Sequence, residues 1–323
     1  MSYKNIYILG VGGSGMSSIA KYLKQKGDNV IGYDQRKSYV TNLLNQDGIK
    51  VVYTLDEITY KPDSLYIYSS AIPIESDRFE DFYDKENVLS RPEYLNKLSE
   101  NHKIIGITGT HGKTSTTALL SHIFHFNNVN VSYLYGGITT FNGIGGHYGD
   151  PDQPLILETD EAFNTFEKIK ISDLLVLNVD SDHLDYFKNL DNYKDAFYKV
   201  MKNVTDNLVI NNDDLNIKSM KELKNPVSYG KDILADFKVQ SPGTFIYENN
   251  KYEIKSDIIG DHFKSNMLGA IILALLNGIE IKDSLNAIES FAGVKRRIEL
   301  IGISKGVLIY DDYGHHPTEM EAT

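Results

Sequence analysis

Apolar runs that end at glycine alternate with amphipathic stretches along most of the chain, and this alternation predicts parallel strands joined by helices. Asn5 to Leu9 and Asn29 to Tyr33 read as buried strands flanking a helix from Ser14 to Lys26, with another strand at Ser64 to Ser69. A second run starts after the polar segment Ser99-Glu-Asn-His102. It holds a strand from Ile104 that breaks at Gly109, a helix beginning near Lys113, and strands at Pro154 to Glu158 and Asp173 to Val179. From about Val227 to Ile259 the pattern shortens to alternating strands with Asn249-Asn250 as a hairpin signal, which predicts an antiparallel flap. Apolar helices follow from about Asn266 to Leu276 and Asp283 to Phe291, and Gly306 to Asp312 is expected to be a strand that opens another unit. The predicted class is α/β. A Rossmann-like unit covers 1–97, a phosphate-loop-type central unit with a small antiparallel flap covers 98–294, and 295–323 supplies the first strand and turn of a third α/β unit.

Composition narrows what these units can do. The 323 residues suffice for two or three domains with cores of their own. With no cysteine, a disulfide scaffold, a thiolate metal site and a thiol nucleophile are excluded, and a reducing compartment is the natural setting. No apolar run approaches the ~20 residues of a membrane span, so a cytoplasmic location without membrane contact is expected. A formal charge of −11 argues against nucleic acid as a partner, because polyanion binding needs a basic face. Only five basic residues are arginine, at positions 36, 78, 91, 296 and 297. A chain that otherwise uses lysine places a planar, bidentate fork where a carboxylate or phosphate must be gripped, which draws attention to Arg91, Arg296 and Arg297.

The strand-to-helix turn Gly109-Thr110-His111-Gly112-Lys113-Thr114, followed by Ser115, carries the strongest chemical signal. Its glycines let backbone N–H groups turn toward phosphate oxygens, and the helix start adds the positive end of its dipole. Lys113 would reach the terminal phosphates and the Thr114 hydroxyl would ligate magnesium. The spacing is shorter than the usual phosphate loop, whose first glycine would fall at Ile107. An earlier turn, Gly10-Val-Gly12-Gly13-Ser14-Gly15 before Met16, matches G-x-G-x-x-G, with Asp34 at the end of the next strand. That loop suits any ligand with a diphosphate and a ribose. On it alone, an NAD(P)-dependent oxidoreductase remains an alternative, although that reading leaves the Lys113 loop without a role.

Two acidic strand ends follow, Glu158-Thr-Asp-Glu161 and Asn178-Val-Asp-Ser-Asp-His-Leu-Asp185. In open α/β sheets ligands sit at the carboxyl ends of strands, so both clusters should lie beside the phosphate loop if all three strands share a sheet. Glu158 is the expected magnesium ligand, with His183 at a second magnesium or at the transferred phosphate. Asp180, Asp182 and Asp213 are read as solvated turns. His262 and Asn266, at the head of an apolar helix, either cap it or touch a nucleotide. Asp311-Asp-Tyr-Gly-His-His-Pro-Thr-Glu319 gathers carboxylates, histidines and a tyrosine at a strand end, as an active-site rim would.

Together these strings, with Ser69-Ser-Ala-Ile72 and Gly293-Val-Lys-Arg-Arg297, resemble the Mur ligase family over nearly the whole chain. The resemblance implies a ligase that uses ATP and Mg2+ to form an amide on the lactyl carboxylate of UDP-N-acetylmuramate, with L-alanine as the amine. Catalysis would rest on Lys113, Glu158 and His183, and magnesium on Thr114, Glu158 and His183. The ATP site would comprise Gly109 to Ser115 with His262 and Asn266. Gly12, Gly13, Ser14, Gly15, Met16, Asp34, Ser70 and Arg91 would hold the UDP-sugar, while Tyr313 and His315 would lie near the amino acid. The murein peptide ligase branch of the family usually differs at both the first glycine loop and the last string, where Phe-Ala replaces Tyr-Gly, and so ranks second. Phe263 stands where an asparagine is usual, and Ala162-Phe163 replaces a polar pair. The family carries a third α/β domain after the last string. The chain is therefore expected to be an incomplete fragment that binds nucleotide and UDP-sugar but ligates poorly, with apolar surface exposed where that domain would dock.

Overall fold

A computed structural model of the chain describes residues 3–220, 223–314 and 320–321. The first unit is a five-stranded, all-parallel sheet of β1 (Asn5–Leu9), β2 (Val30–Tyr33), β3 (Lys50–Val52), β4 (Ser64–Tyr68) and β5 (Val88–Ser90), in the order β3-β2-β1-β4-β5. Strand order reverses beside β1, so a crevice opens at its carboxyl end. There the chain turns through Gly10 to Gly13 into α1 (Ser14–Lys26). The helices α2 (Tyr39–Gln46) and α3 (Arg91–Ser99) each begin with a reciprocal serine capping box, from Ser38 and Ser90.

The second unit is a ten-stranded sheet. Its parallel centre contains β6 (Ile104–Thr108), and it continues through β7 (Ser132–Thr139), β8 (Gly143–His147), β9 (Leu155–Glu158), β10 (Asp173–Val176) and β11 (Asn207–Asn211). It ends with β12 (Val227–Gly230), β13 (Phe237–Ser241), β14 (Thr244–Tyr247) and β15 (Asn250–Glu253), in the order β15-β14-β13-β12-β11-β10-β6-β9-β7-β8. The strand before the phosphate loop is flanked by β9 and β10, both parallel to it. The two acidic strand ends therefore lie on either side of that loop, as expected. One face is covered by α4 (Lys113–Phe126), with α5 (Leu184–Phe187), α6 (Leu190–Lys202) and α7 (Leu215–Lys218) following in the chain before α8 (Asp261–Leu276) and α9 (Ile281–Ser290). The helices α4, α8 and α9 bury Leu120, Ile123, Ile271, Leu273 and Ile288 against Ile105, Ile156 and Leu175.

The antiparallel flap is present as β13, β14 and β15, and β13 pairs in parallel with β12, so the flap prolongs the edge of the central sheet. Two expectations are corrected. The turn falls at Glu248 and Asn249, both at positive φ (47° and 63°), because Tyr247 pairs with Asn250. The last strand does not stand alone. β17 (Val307–Asp311) pairs antiparallel with β16 (Glu299–Ser304), and this hairpin leaves Leu300, Ile301, Ile303, Val307 and Leu308 at least half exposed.

The two units are joined through α1, which packs on β7 and β8. Its backbone lies so close to β8 that a Cβ on Gly146 would come within 2.0 Å of the Ser18 carbonyl. Ile19 and Leu23 of α1 belong to one buried cluster with Ile8 and Ile67 of the first sheet and Leu134 and Ile144 of the second. Lys21 is buried in the same seam and donates to the carbonyls of Asn142 and Ile144.

Candidate active site

The loop after β6 is held from below by side chains. Asn178, just past β10, accepts from His111 N–H (2.8 Å) and donates to the His111 carbonyl (2.9 Å). The Thr110 hydroxyl donates to the Asp180 carbonyl (3.1 Å) and accepts from Asp180 N–H (2.9 Å). The same hydroxyl is hydrogen-bonded to that of the fully buried Tyr193, 2.9 Å away on α6. Gly112 enters α4 at φ 86°, and a Cβ there would lie 2.4 Å from Asn266 Nδ2. No side chain caps α4, so its first N–H groups face the open site.

Lys113 folds back over this loop. Its ammonium donates to the carbonyls of Gly109 (2.7 Å) and Thr110 (3.1 Å) and lies 2.9 Å from both oxygens of Glu161. Glu161 has a side chain only 1% exposed, and burial by itself would discharge both partners. Against burial, Glu161, Asp160 and Glu158 hold the Lys113 pKa above its ordinary value. Burial pushes the Glu161 carboxyl up, and Lys113 opposes that. Beside them, Thr114 Oγ1 donates to Glu158 Oε1 (2.7 Å), while Gly136 N–H donates to Glu158 Oε2 (2.6 Å). His183 takes the left-handed conformation (φ 51°) at the start of α5, with Nε2 3.9 Å from Glu161 and 3.8 Å from Asp182.

Two cavities flank the start of α4 and share Arg297 in their walls. One, about 430 Å³, is lined by His111, Gly112, Ser115, His262 and Asn266 from the expected nucleotide set, and by Asp180, Asp213 and Arg297. Asp180 and Asp213 are thus pocket walls rather than merely solvated turns. Phe263 is part of the same wall, its ring 4.5 Å from that of His262. The other, about 770 Å³, runs between the sheets and is lined by Gly12 to Met16, Ser70, Arg91, Thr114, Glu158 and Tyr313. Lys295, Arg296 and Arg297 close its far rim, with Arg296 over the Tyr313 ring. Ser115 faces the first cavity and Thr114 the second, because consecutive residues at a helix start point to different sides.

Not every expected residue reaches a cavity. Asp34 does not line the cleft: its carboxylate accepts from Gly12 N–H (2.8 Å) and Arg36 N–H (3.1 Å), so it shapes the glycine loop from behind. His183 lines neither cavity and approaches the site only through Glu161. His315 lies outside the described residues. Sequence reasoning assigned no role to Glu161, Tyr193, Gly136 or Gly137. The glycine pair inside a strand was a usable sign of close approach, whereas nothing local marks Tyr193.

Residues 107–274 match the Mur ligase middle domain, and residues 5–103 match the Mur ligase family catalytic domain. The chain belongs to the Mur ligase family. Among its relatives, the UDP-N-acetylmuramate--L-alanine ligase of Caldicellulosiruptor saccharolyticus is 35% identical over 336 residues, covering 98% of this chain and 73% of the relative. The enzyme of the same name from Cytophaga hutchinsonii is 33% identical over 343 residues, 98% of this chain and 72% of the relative. Among solved Mur ligases, the UDP-N-acetylmuramate-alanine ligase MurC of Thermotoga maritima superposes with a TM-score of 0.84 at 26% identity, covering 98% of this chain and 76% of that one. Among the described residues no helix is long and apolar enough to cross a membrane.

Proposed function

We propose that this Mur ligase chain binds ATP and UDP-N-acetylmuramate on opposite sides of α4 and joins L-alanine to the lactyl carboxylate through an acyl phosphate. The observation that carries the reading is a pair of cavities on either side of the start of α4, one lined by Ser115 and the other by the Thr114–Glu158 pair, with Arg297 common to both. A nucleoside in the smaller cavity and a UDP-sugar in the larger one would then direct a terminal phosphate and a carboxylate toward the same few residues. Family membership and relatives named for this reaction support it.

The residues fit magnesium as well. Thr114 Oγ1 and Glu158 Oε1 are 2.7 Å apart, close to the ~3 Å that separates adjacent ligands in an octahedral shell with bonds of ~2.1 Å. Among the described residues no group of three or more histidine or carboxylate side chains forms a complete cage. Magnesium that travels with phosphates needs only one or two protein ligands. Thr114 and Glu158 would hold one ion, and His183 a second. Such ions supply positive charge that offsets repulsion between the phosphates and the carboxylate.

Lys113 contributes in the same direction. Two anions 4 Å apart repel by ~4 kcal/mol at an effective dielectric of ~20, so a fixed ammonium and the uncapped start of α4 lower the barrier to bringing them together. Arg91 sits over Gly15 at the start of α1, its buried Nε without a partner, where a diphosphate or lactyl oxygen would satisfy it. Tyr313, held beneath Arg296, lines the same cleft and would lie near the amino acid. Trapping with hydroxylamine tests the first chemical step without requiring the amine. The expected result is a hydroxamate of the UDP-sugar that forms only with ATP and magnesium. Binding of both ligands without hydroxamate would contradict the acyl-phosphate assignment.

A further inference from the structure

The Lys113 ammonium spends its donors on Gly109 O, Thr110 O and Glu161, and in this posture no donor points into either cavity. Neither cavity is lined by Lys113 at all. Glu161 is held equally firmly. It follows β9 by three residues at the head of a 3₁₀ turn, its side chain is buried, and the Tyr193 hydroxyl stands between it and Thr110. A lysine so engaged is not simply waiting for phosphate.

We propose that Glu161 is a lock on Lys113: the closed Lys113–Glu161 pair holds the lysine out of the phosphate site, and only a ligand whose terminal phosphate reaches Lys113 draws it away. The inference rests on the reading of the loop as a triphosphate site. Mono- and diphosphates that stop short of Lys113 bind without opening the lock and gain nothing from the lysine. A triphosphate exchanges one charge-assisted partner for another, and its net gain is the difference between them. Glu161 thereby sets how strongly the site prefers a nucleotide competent to donate a phosphoryl group. Asp160 and Glu158 surround the departure point and keep the ammonium charged throughout.

Two substitutions separate this lock from a plain effect of charge. Glu161→Asp keeps the carboxylate but shortens it by one methylene, so it no longer reaches Nζ; Glu161→Gln keeps the length and removes the charge. Calorimetric titration with magnesium and the non-hydrolysable analogue AMP-PNP, compared with AMP, reads the result. Both variants are expected to bind AMP-PNP more tightly, by roughly tenfold for Gln and less for Asp, with AMP affinity unchanged. If only Gln tightens binding, repulsion rather than a lock is at work and the inference falls; weaker AMP-PNP binding by Asp also overturns it. A crystal structure of the unsubstituted chain with magnesium and AMP-PNP checks the claim without any variant. Lys113 Nζ should lie beyond the ion-pair limit of about 4 Å from Glu161. A retained pair would sink the proposal. Failure of the unsubstituted chain to bind AMP-PNP at all would count instead against the triphosphate reading.

Discussion

The two glycine loops of this chain resemble each other in sequence yet are held differently. The loop after β1 is shaped by backbone bonds and by one carboxylate, Asp34, on Gly12 N–H. The loop after β6 is fixed from beneath by Asn178, Asp180, Tyr193 and Glu161, all buried or half-buried and all from beyond its own βα unit. The first opens on the wide cleft ringed by Arg91, Lys295, Arg296 and Arg297, suited to grip a large anion. The second presents a narrow, prewired set of donors and carboxylates. A loop that only binds can be left simple, whereas one that brings two anions together needs donors whose positions are fixed beforehand.

Four substitutions test that division, in falling order of effect. Lys113→Met should lower ATP-dependent hydroxamate formation by roughly 10³-fold, while UDP-sugar affinity measured by calorimetry stays within about twofold. Equal losses at both sites would merge the two regions into one. Arg91→Ala should weaken UDP-sugar binding by roughly 10- to 100-fold, as expected for a charged hydrogen bond of ~1.5–3 kcal/mol, and leave AMP-PNP affinity alone. Gly112→Ala imposes left-handed strain of about 1–3 kcal/mol and a contact with Asn266, so AMP-PNP should bind roughly tenfold more weakly. UDP-sugar titration of the same variant should be unaltered.

The smallest effect concerns the seam between the regions. Burial lowers the Lys21 pKa below 10.5, so the folded state holds its proton less tightly than the unfolded chain does. Between the lowered value and 10.5 the unfolded state therefore binds more protons, and the Lys21 contribution to stability rises with pH. Lys21→Met should cost about 1 kcal/mol at neutral pH, by leaving the Asn142 and Ile144 carbonyls short of a donor. In urea titrations the deficit should widen as pH rises toward 10. A deficit that shrinks would show that the amine is not strained by burial.

What could be read from sequence follows the same line. The strand, turn and helix around Gly109 to Thr114 are coded by adjacent residues, and the flanking acidic strand ends follow from one topological rule. Their partners are not local. Tyr193 lies 83 residues from Thr110, on a helix whose pattern announces only an apolar face. Glu161 was visible inside a motif, but its burial and its hold on Lys113 emerge only when β9 and β6 are side by side. Asp34 was visible at its strand end, but its hold on Gly12 N–H emerges only from the folded loop. The final hairpin was half seen, because Glu299 to Ser304 alternates too weakly to stand out as the partner of β17.

Thermal unfolding with each ligand separately and then with both tests the central claim most directly. UDP-N-acetylmuramate and magnesium–AMP-PNP, each at about 100 times its dissociation constant, should each stabilise the chain by about 2.7 kcal/mol, and together by at least the sum, while NAD(P)H gives no shift. No stabilisation by either ligand, or mutual exclusion of the two, would contradict two separate cavities flanking the start of α4.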